Sequence, residues 1–448
     1  MIFVRLEFII KDYKQVISYR NRRYSMKDQT IEVRGGYTTE PTTHAIFTPI
    51  YQTVAYEFDN AQHAADLFNL AVPGNIYTRL MNPTVDVLEK RMCQLEGGFA
   101  AVATASGQNA ITYALINVAK SGDNIVSVPQ LYGGTFTLLD SMLPSYGIQG
   151  RFAKTDSPED IEALIDENTK AVYCETIGNP AGNIVDIEAL ANVAHRHGVP
   201  LIVDNTVATP ALCKPISFGA DIVVHSLTKF CGGHGNTMGG IVIDSGNFDW
   251  TKYPDKFSQF TKPEKSYHGV VYAESFGRAA FAARIRTVAL RNTGGILPAM
   301  SSFNILVGLE TLTLRMRQHV SNTFAIADFL RKHPKVSWVN CVNDPNSKYY
   351  KNAQKYTKGT QSGMLTFGLK GGLEDGIKFY DALKLFKRVV NIGDSRSCAC
   401  HPASTTHRQL TEEQLRAAGI TPELIRLTIG IEDPEDLIED LSQALDAI

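Results

Sequence analysis

The stretch from Asp221 to Gly235 reads D-I-V-V-H-S-L-T-K-F-C-G-G-H-G, and it places one lysine between an apolar strand and a glycine-rich turn. A lysine at a strand end is most often a solvated charge. An amine that attacks an aldehyde must instead be partly desolvated, so that it can lose its proton. Ser226 and Thr228 flank Lys229 with hydroxyls that can hold a phosphate. The segment predicts either a surface lysine or a reactive amine beside a phosphate.

A second segment, Leu201 to Thr206, reads L-I-V-D-N-T and delivers Asp204 at the end of an apolar strand. Open α/β sheets bind ligands at this carboxyl edge. A carboxylate there can keep a pyridine nitrogen protonated, and a protonated pyridine ring is the electron sink of pyridoxal phosphate (PLP) chemistry. The alternative is that Asp204 only caps the following turn. Together with Lys229, Asp204 favours a PLP site.

Two further segments are compatible with such a site. Ala105 to Ala110 reads A-S-G-Q-N-A and opens helical sequence, so its backbone N–H groups and the helix dipole can bind phosphate. Tyr132, in Q-L-Y-G-G-T, follows the next strand and can lie over a cofactor ring. Taken alone, a small-residue turn is common, and Tyr132 can equally be an ordinary half-buried aromatic.

Around these segments, short apolar runs alternate with helical periodicity, which predicts an α/β fold with a mainly parallel sheet. Strands are predicted at 124–128, 171–175, 201–204 and 222–224, and helices at 109–119, 158–166 and 187–197. After Gly294 and Gly295 the pattern changes to long helices at 301–319 and 321–332, with strands near 336–339 and 364–369. We therefore expect a large domain over 83–293 and a smaller α+β domain over 294–448. Residues 26–82 lack sustained periodicity and are predicted to form an extended arm.

Composition limits the classes of function. The 448 residues carry 44 basic and 46 acidic side chains, a formal charge of −2, which favours neither nucleic acid nor an anionic membrane as a partner. We therefore expect a small-molecule substrate. Seven scattered cysteines fit reduced thiols in a cytoplasmic protein. Residues 1–25, which fail as a signal peptide, are expected to be a dispensable extension or a mis-assigned start preceding Met26.

Seven motifs follow one another between about Asp28 and the C-terminus: Y-T-R-L-M-N-P-T at 77–84, L-E-G-G at 95–98, A-S-G-Q at 105–108, V-D-N-T at 203–206, H-S-L-T-K at 225–229, H-P-A-S-T-T-H at 401–407 and I-R-L-T-I-G-I-E-D at 425–433. In this order they resemble the motifs of the Cys/Met-metabolism PLP enzymes, a family that includes cystathionine γ-synthase, the γ-lyases and the homocysteine-forming sulfhydrylases. The resemblance implies the aspartate-aminotransferase-like fold, fold type I, with PLP as cofactor.

The resemblance also implies roles for matched residues. Lys229 would form the Schiff base and move protons, Asp204 would pair with the ring nitrogen, and Tyr132 would stack on the ring. The phosphate would be bound by Gly107, Gln108, Ser226 and Thr228, and from a neighbouring subunit by Tyr77 and Arg79. A shared site implies a homodimer, and the family favours a tetramer built of dimers.

The substrate α-carboxylate is expected to bind Arg426, since a planar guanidinium suits bidentate contact with a carboxylate. Asn391, in the V-N-I-G-D turn, would assist. On sequence grounds alone, Arg426 can also be a surface charge on a strand.

The sequence departs from the family at two places. Cys398 and Cys400, in D-S-R-S-C-A-C-H, stand where relatives usually have apolar residues, and C-x-C-H can suggest a metal. We expect no metal, because the matching family segment packs beside the substrate pocket without one; Arg396 and His401 are expected to be structural or pocket-lining. Gly134 stands where γ-lyases tend to have cysteine, which argues against a lyase.

Within the family, the long stretch between Gly240 and Leu297 resembles the O-acetylhomoserine sulfhydrylase branch. That branch implies replacement of the acetate of O-acetyl-L-homoserine by sulfide, giving L-homocysteine. The alternatives are cystathionine γ-synthase and the methionine or cystathionine γ-lyases, which share this machinery. A nicotinamide-dependent oxidoreductase is disfavoured because no G-x-G-x-x-G motif followed by an acid is present. A non-catalytic protein of the same fold is disfavoured by the joint presence of Lys229, Asp204 and Arg426.

Overall fold

The fold is built on two sheets, seen in a computed structural model that describes residues 26–69, 71–267, 269–405 and 421–448. The expected extension at 1–25 and the end of the H-P-A-S-T-T-H motif lie outside these ranges. The larger sheet contains β1 (Ala100–Thr104), β2 (Asn124–Ser127), β3 (Gln149–Phe152), β4 (Thr169–Glu175), β5 (Leu201–Asp204), β6 (Ile222–Ser226) and β7 (Gly240–Asp244).

The strand order of the larger sheet is β1-β7-β6-β5-β4-β2-β3. Neighbouring strands from β6 through β3 are parallel, whereas β7 runs antiparallel to both β1 and β6. The predicted strands at 124–128, 171–175, 201–204 and 222–224 correspond to β2, β4, β5 and β6. The predicted α/β class with a mainly parallel sheet is confirmed, and β7 is an antiparallel strand that the sequence did not reveal.

The longer helices pack against the two sheets. They are α1 (Asp28–Arg34), α2 (Ala61–Phe68), α3 (Pro83–Glu96), α4 (Gly107–Val118), α5 (Ile187–Arg196), α6 (Ala299–Leu309), α7 (Leu312–Lys332), α8 (Tyr350–Tyr356), α9 (Gly372–Ala382) and α10 (Pro434–Asp446). Helix α3 shows why these segments are helical: Asn82 caps its first turn, Pro83 occupies the first position, and Gly97 ends it in the left-handed conformation.

The smaller sheet contains β8 (Val336–Asn340), β9 (Met364–Leu369), β10 (Lys387–Arg388), β11 (Cys398–Cys400) and β12 (Leu424–Thr428), in the order β10-β11-β12-β9-β8. Its hydrophobic core is separate from that of the larger sheet and includes Ile326, Phe367 and Leu441. Helix α6 and the start of α7 pack instead into the first core through Ile305, Leu309 and Met316. The domain boundary at 294 therefore stays a prediction, with the second core beginning inside α7.

Residues 26–82, predicted to be an extended arm, contain two short helices that the sequence did not reveal, and the role of the segment as an arm stays a prediction. Helix α1 buries Ile31 and Glu32, and Glu32 accepts a hydrogen bond from Thr313 at the start of α7. Among the described residues between α1 and α3, the chain is irregular apart from α2 and an isolated bridge between Ala55 and Tyr77. Within the described ranges, no helix has the length and apolar character needed to cross a bilayer.

Candidate active site

Lys229 lies at the carboxyl edge of the larger sheet, in the turn after β6. Its Nζ donates to Asn391 Oδ1 at 2.8 Å. Burial, followed by the nearby Arg426 cation, lowers the pKa of Lys229 from its ordinary value. The turn is held from behind by Arg315, whose buried guanidinium donates to the carbonyl oxygen of Phe230 at 2.7 Å. The surface-lysine alternative is therefore wrong, since Lys229 is partly buried and more easily deprotonated than a solvated lysine.

Asp204 ends β5, where it stands opposite Glu175 of β4 in the parallel register. The N–H of Thr206 donates to Asp204 Oδ1 at 2.9 Å, and the Tyr173 hydroxyl lies 3.5 Å from Asp204 Oδ2. Burial raises the pKa of Asp204, while the Thr206 hydrogen bonds oppose this rise. Asp204 thus faces the carboxyl edge as an acid that a cationic partner would stabilise in its ionised form.

Glu175, the register partner of Asp204, joins two loops of the site. Its Oε1 accepts the backbone N–H of Tyr132 at 2.6 Å, and its Oε2 accepts the backbone N–H of Asn179 at 3.2 Å. The Tyr132 side chain remains 51% exposed, so its ring is open to a ligand. Glu175 was missed from the sequence, although E-T-I-G-N-P at 175–180 follows a predicted strand and carries a buried acid beside Asp204.

Arg426 lies on β12 of the smaller sheet and reaches across to the loop after β4. Its Nη1 donates to Asn179 Oδ1 at 3.1 Å and its Nη2 donates to Asn391 O at 3.3 Å. Its buried Nε has no hydrogen-bond partner among the described residues. A buried guanidinium N–H without an acceptor is costly, so this site favours an anionic ligand, and the alternative of a surface charge on a strand is wrong.

The proposed phosphate-binding segment lies where α4 meets β6. Ser106 caps α4 through its side chain, and a Cβ on Gly107 would lie 2.5 Å from Ser226 Cβ. Only glycine permits this close approach of helix N-terminus to strand end. Ser226 is held by its own N–H, which donates to Thr206 Oγ1 at 2.8 Å.

Gln108 and Thr228 have local partners in this structure. Gln108 Nε2 donates to Gly134 O at 3.1 Å, in the loop that carries Tyr132. The Thr228 hydroxyl donates to Gly239 O at 3.2 Å and accepts from Gly239 N at 3.0 Å. A phosphate contact from Thr228 would therefore require the hydroxyl to leave the Gly239 carbonyl.

Tyr77 and Arg79 are not brought to this constellation within the chain. The Arg79 guanidinium lies 5.4 Å from the centre of the Tyr77 ring, and Tyr77 is 40% exposed. Among the described residues, no hydrogen bond or ion pair joins either side chain to Lys229, Asp204 or Arg426. The carbonyl of Leu80, in the same loop, accepts from Arg286 Nη1 at 2.7 Å, which anchors the loop to the body of the chain.

The segment with two cysteines lies directly beside Arg426. In the β11–β12 register, Cys400 is opposite Arg426 and Cys398 is opposite Thr428. Both thiols are buried, and burial raises the pKa of Cys398 to about 11. Both ring nitrogens of His401 are engaged, with Ser404 Oγ at 2.8 Å and Pro422 O at 2.9 Å. No group of three or more metal-ligating side chains is found in the part of the chain that the structure describes.

Most of the predicted site residues are thus brought together into one cluster at the junction of the two sheets. The exceptions are Thr228, which hydrogen-bonds to Gly239, and Tyr77 and Arg79, which contact each other. A family model for Cys/Met metabolism PLP-dependent enzymes matches residues 29–446. The chain belongs to this family. Its residues fit the cofactor, because Lys229 is a partly buried amine, Asp204 is a buried acid at the ligand-binding edge, and Gly107 leaves room at a helix N-terminus.

Curated relatives of this family member cover nearly the whole chain. It is 48% identical to a homocysteine synthase from Schizosaccharomyces pombe over 93% of this chain and 98% of the relative. It is 47% identical to an O-acetyl-L-homoserine sulfhydrylase from Leptospira meyeri over 94% of this chain and 97% of the relative.

A solved structure of a candidate O-acetylhomoserine (thiol)-lyase from Campylobacter jejuni is 41% identical, with a TM-score of 0.91. It covers 94% of this chain and all of the solved chain. That protein contains N'-pyridoxyl-lysine-5'-monophosphate. The predicted family, fold and PLP cofactor are therefore confirmed.

Proposed function

We propose that this enzyme replaces the acetate of O-acetyl-L-homoserine by sulfide, releasing L-homocysteine. The Cγ–O bond breaks with its electron pair going to acetate, and hydrosulfide forms the new Cγ–S bond, so the reaction needs no oxidant or reductant. The observation that carries the proposal is the hydrogen-bonded series Lys229–Asn391–Arg426–Asn179, which sets an amine beside a carboxylate-binding cation. The names of relatives that are 45–48% identical support the choice of substrate.

Each residue has one proposed task. Bound PLP supplies an electron sink that makes the Cα and Cβ protons of the amino acid acidic. Asp204 keeps the ring nitrogen protonated, and Lys229 carries protons to and from the substrate carbons, which its lowered pKa favours. Arg426 binds the α-carboxylate through its open Nε and its Nη groups, with Asn391 assisting.

The remaining site residues bind the cofactor in this proposal. Tyr132 lies over the ring. The phosphate is bound by Gly107, Gln108, Ser226 and Thr228 from one subunit and by Tyr77 and Arg79 from its partner, which requires a homodimer. We propose a tetramer built of two such dimers and a cytoplasmic location, consistent with seven buried cysteines. Light scattering of the purified enzyme and fractionation of the source cells test these two statements.

Steady-state turnover with O-acetyl-L-homoserine tests the reaction itself, with sulfide and L-cysteine compared as acceptors. Sulfide is expected to give the higher kcat/KM and L-homocysteine the only sulfur product. A clear preference for cysteine would identify a cystathionine γ-synthase instead, and release of 2-oxobutyrate without acceptor would identify a lyase. Gly134 supports the replacement reaction, since the γ-lyases tend to have cysteine at this position; a Cβ there would lie 2.6 Å from the Tyr132 ring, so a larger residue would require the ring to shift.

A further inference from the structure

Glu175 is a buried acid to which the proposed reaction assigns no role. It is 4% exposed and ends β4 beside Asp204. Burial, followed by the negative charge of Asp204, raises the pKa of Glu175. A buried carboxylic side chain next to a second acid is unfavourable unless hydrogen bonds compensate for its lost hydration. The groups that hydrogen-bond to Glu175 therefore indicate what this buried side chain does.

Both oxygens of Glu175 accept from backbone N–H groups, and each group belongs to a different loop. The N–H of Tyr132 lies in the loop after β2, and the N–H of Asn179 lies in the loop after β4. A carboxylate can accept at both oxygens, whereas an amide of the same shape has one acceptor and one donor. The two loops are thus fixed to each other by a single side chain.

The two loops hold different ligands in the proposed reaction. Tyr132 presents its exposed ring, and Asn179 accepts from Arg426 through Oδ1 at 3.1 Å. We propose that Glu175 is a positioning residue that sets the Tyr132 ring over the cofactor and, through Asn179, orients Arg426 for the substrate carboxylate. This inference rests on the proposed function for the role of Arg426, while its cofactor part depends only on PLP binding.

The test compares Glu175→Gln and Glu175→Asp with Asp244→Asn as a matched control. Asp244 is also a buried acid at the end of a strand of the same sheet, and it accepts the N–H of Gly246 at 2.8 Å, away from the site residues. The measurements are the PLP dissociation constant, the visible circular dichroism of bound PLP, KM for O-acetyl-L-homoserine, KM for sulfide, and Tm.

For Glu175→Gln we expect PLP affinity to fall and KM for the amino acid to rise, each by about tenfold, because the amide NH2 cannot accept one of the two backbone N–H groups and leaves it unpaired. The circular dichroism of PLP should change, and KM for sulfide should stay within about twofold of its original value. Asp244→Asn should lower Tm alone. Glu175→Asp, which keeps the charge but is one methylene shorter, should give the same two defects and serves if the Gln variant does not fold.

Unchanged PLP affinity, dichroism and amino-acid KM in a folded Glu175 variant would overturn the inference, whatever happens to Tm. The proposed function fails separately, if the unmodified enzyme forms no homocysteine. In that case a PLP defect in Glu175→Gln would still support the cofactor part of the inference.

Discussion

The inner half of the site, which contains Lys229, Asp204, Glu175 and Arg426, differs from the arm that carries Tyr77 and Arg79 in how completely one chain builds it. In the inner half, Lys229 and Arg426 are partly or fully buried, and hydrogen bonds join them across both sheets. In the arm, Tyr77 is 40% exposed and Arg79 contacts its own neighbour. The inner half is therefore preorganised within one chain, whereas binding of a partner subunit's cofactor by the arm stays a prediction.

The largest expected effect is that of Lys229→Ala. Removing the proton-carrying amine should lower kcat by at least about 10³-fold, the range associated with a lost general base and nucleophile. Turnover under PLP saturation measures this loss, and an unchanged Tm serves as the control for folding. Activity within tenfold of the original would contradict the assignment of Lys229.

A mixing experiment tests whether the arm acts on the partner's site. Arg79→Ala should weaken PLP binding by about 10- to 100-fold, because one charge-assisted contact with phosphate is lost. When Arg79→Ala and Lys229→Ala are dissociated and reassembled together, mixed dimers contain one site with neither substitution. Activity should then rise toward a quarter of that of the unmodified enzyme. No recovery in verified mixed dimers would show that the arm serves its own chain.

Arg286→Gln extends the same experiment with a smaller effect. Arg286 donates to the carbonyl of Leu80 and forms an ion pair with Glu89, so it anchors the loop that carries Tyr77 and Arg79. We expect a loss of PLP affinity of about tenfold from the lost charge-assisted hydrogen bond. Activity should recover in mixed dimers of Arg286→Gln with Lys229→Ala, which contain one intact site. It should not recover in mixed dimers of Arg286→Gln with Arg79→Ala, in which both arms are impaired. Recovery with Arg79→Ala would place Arg286 in the inner half.

The last prediction concerns the stability of the folded chain at acid pH, not its activity or PLP affinity. His319 is buried behind Phe230, with Nδ1 2.7 Å from Ile429 O, and burial lowers its pKa from 6.5 to about 4. Below pH 6.5, His319 binds a proton in the unfolded chain but not in the folded chain. The free energy of unfolding therefore falls as pH drops, by up to about 3 kcal/mol near pH 4.

His319→Gln tests this prediction, since an amide N–H can still donate to Ile429 O. Between pH 6.5 and 4 its Tm should fall less steeply than that of the unmodified enzyme. Parallel Tm curves for the two proteins would contradict the assignment.

The sequence predicted the strands and the residues at their ends better than it predicted contacts between distant loops. Strand β5 was predicted at 201–204 because four apolar or acidic residues precede a turn signal, and Asp204 follows from its place at the strand end. Strand β7 was missed because its direction depends on pairing with β1 and β6, which no local pattern encodes. Helix α1 of the arm was missed because its buried apolar residue, Ile31, packs into a core formed mostly by residues far along the chain, which no local pattern reveals.

The inner site shows the same division. Lys229 and Asp204 were singled out because each is a charged residue at or just after the end of an apolar strand, whereas Arg426, in the middle of β12, was assigned only through the family resemblance. Glu175 and Tyr173 were not identified from the sequence. A buried Tyr within a strand is typical of core packing, so Tyr173 gave no signal of its own. Their importance depends on the cross-strand register with Asp204, which appears only when β4 and β5 pair.

The antiparallel strand β7 restricts how the enzyme can be re-engineered. It starts at the edge where β6 ends, and a Cβ on Gly240 would lie 2.0 Å from Ser106 O. The connection from Phe230 to Gly239 is consequently tethered at both ends next to the ligand-binding edge. Tags, inserted peptides or new chain termini placed there would displace both the amine and the helix cap, so circular permutation should begin elsewhere on the surface.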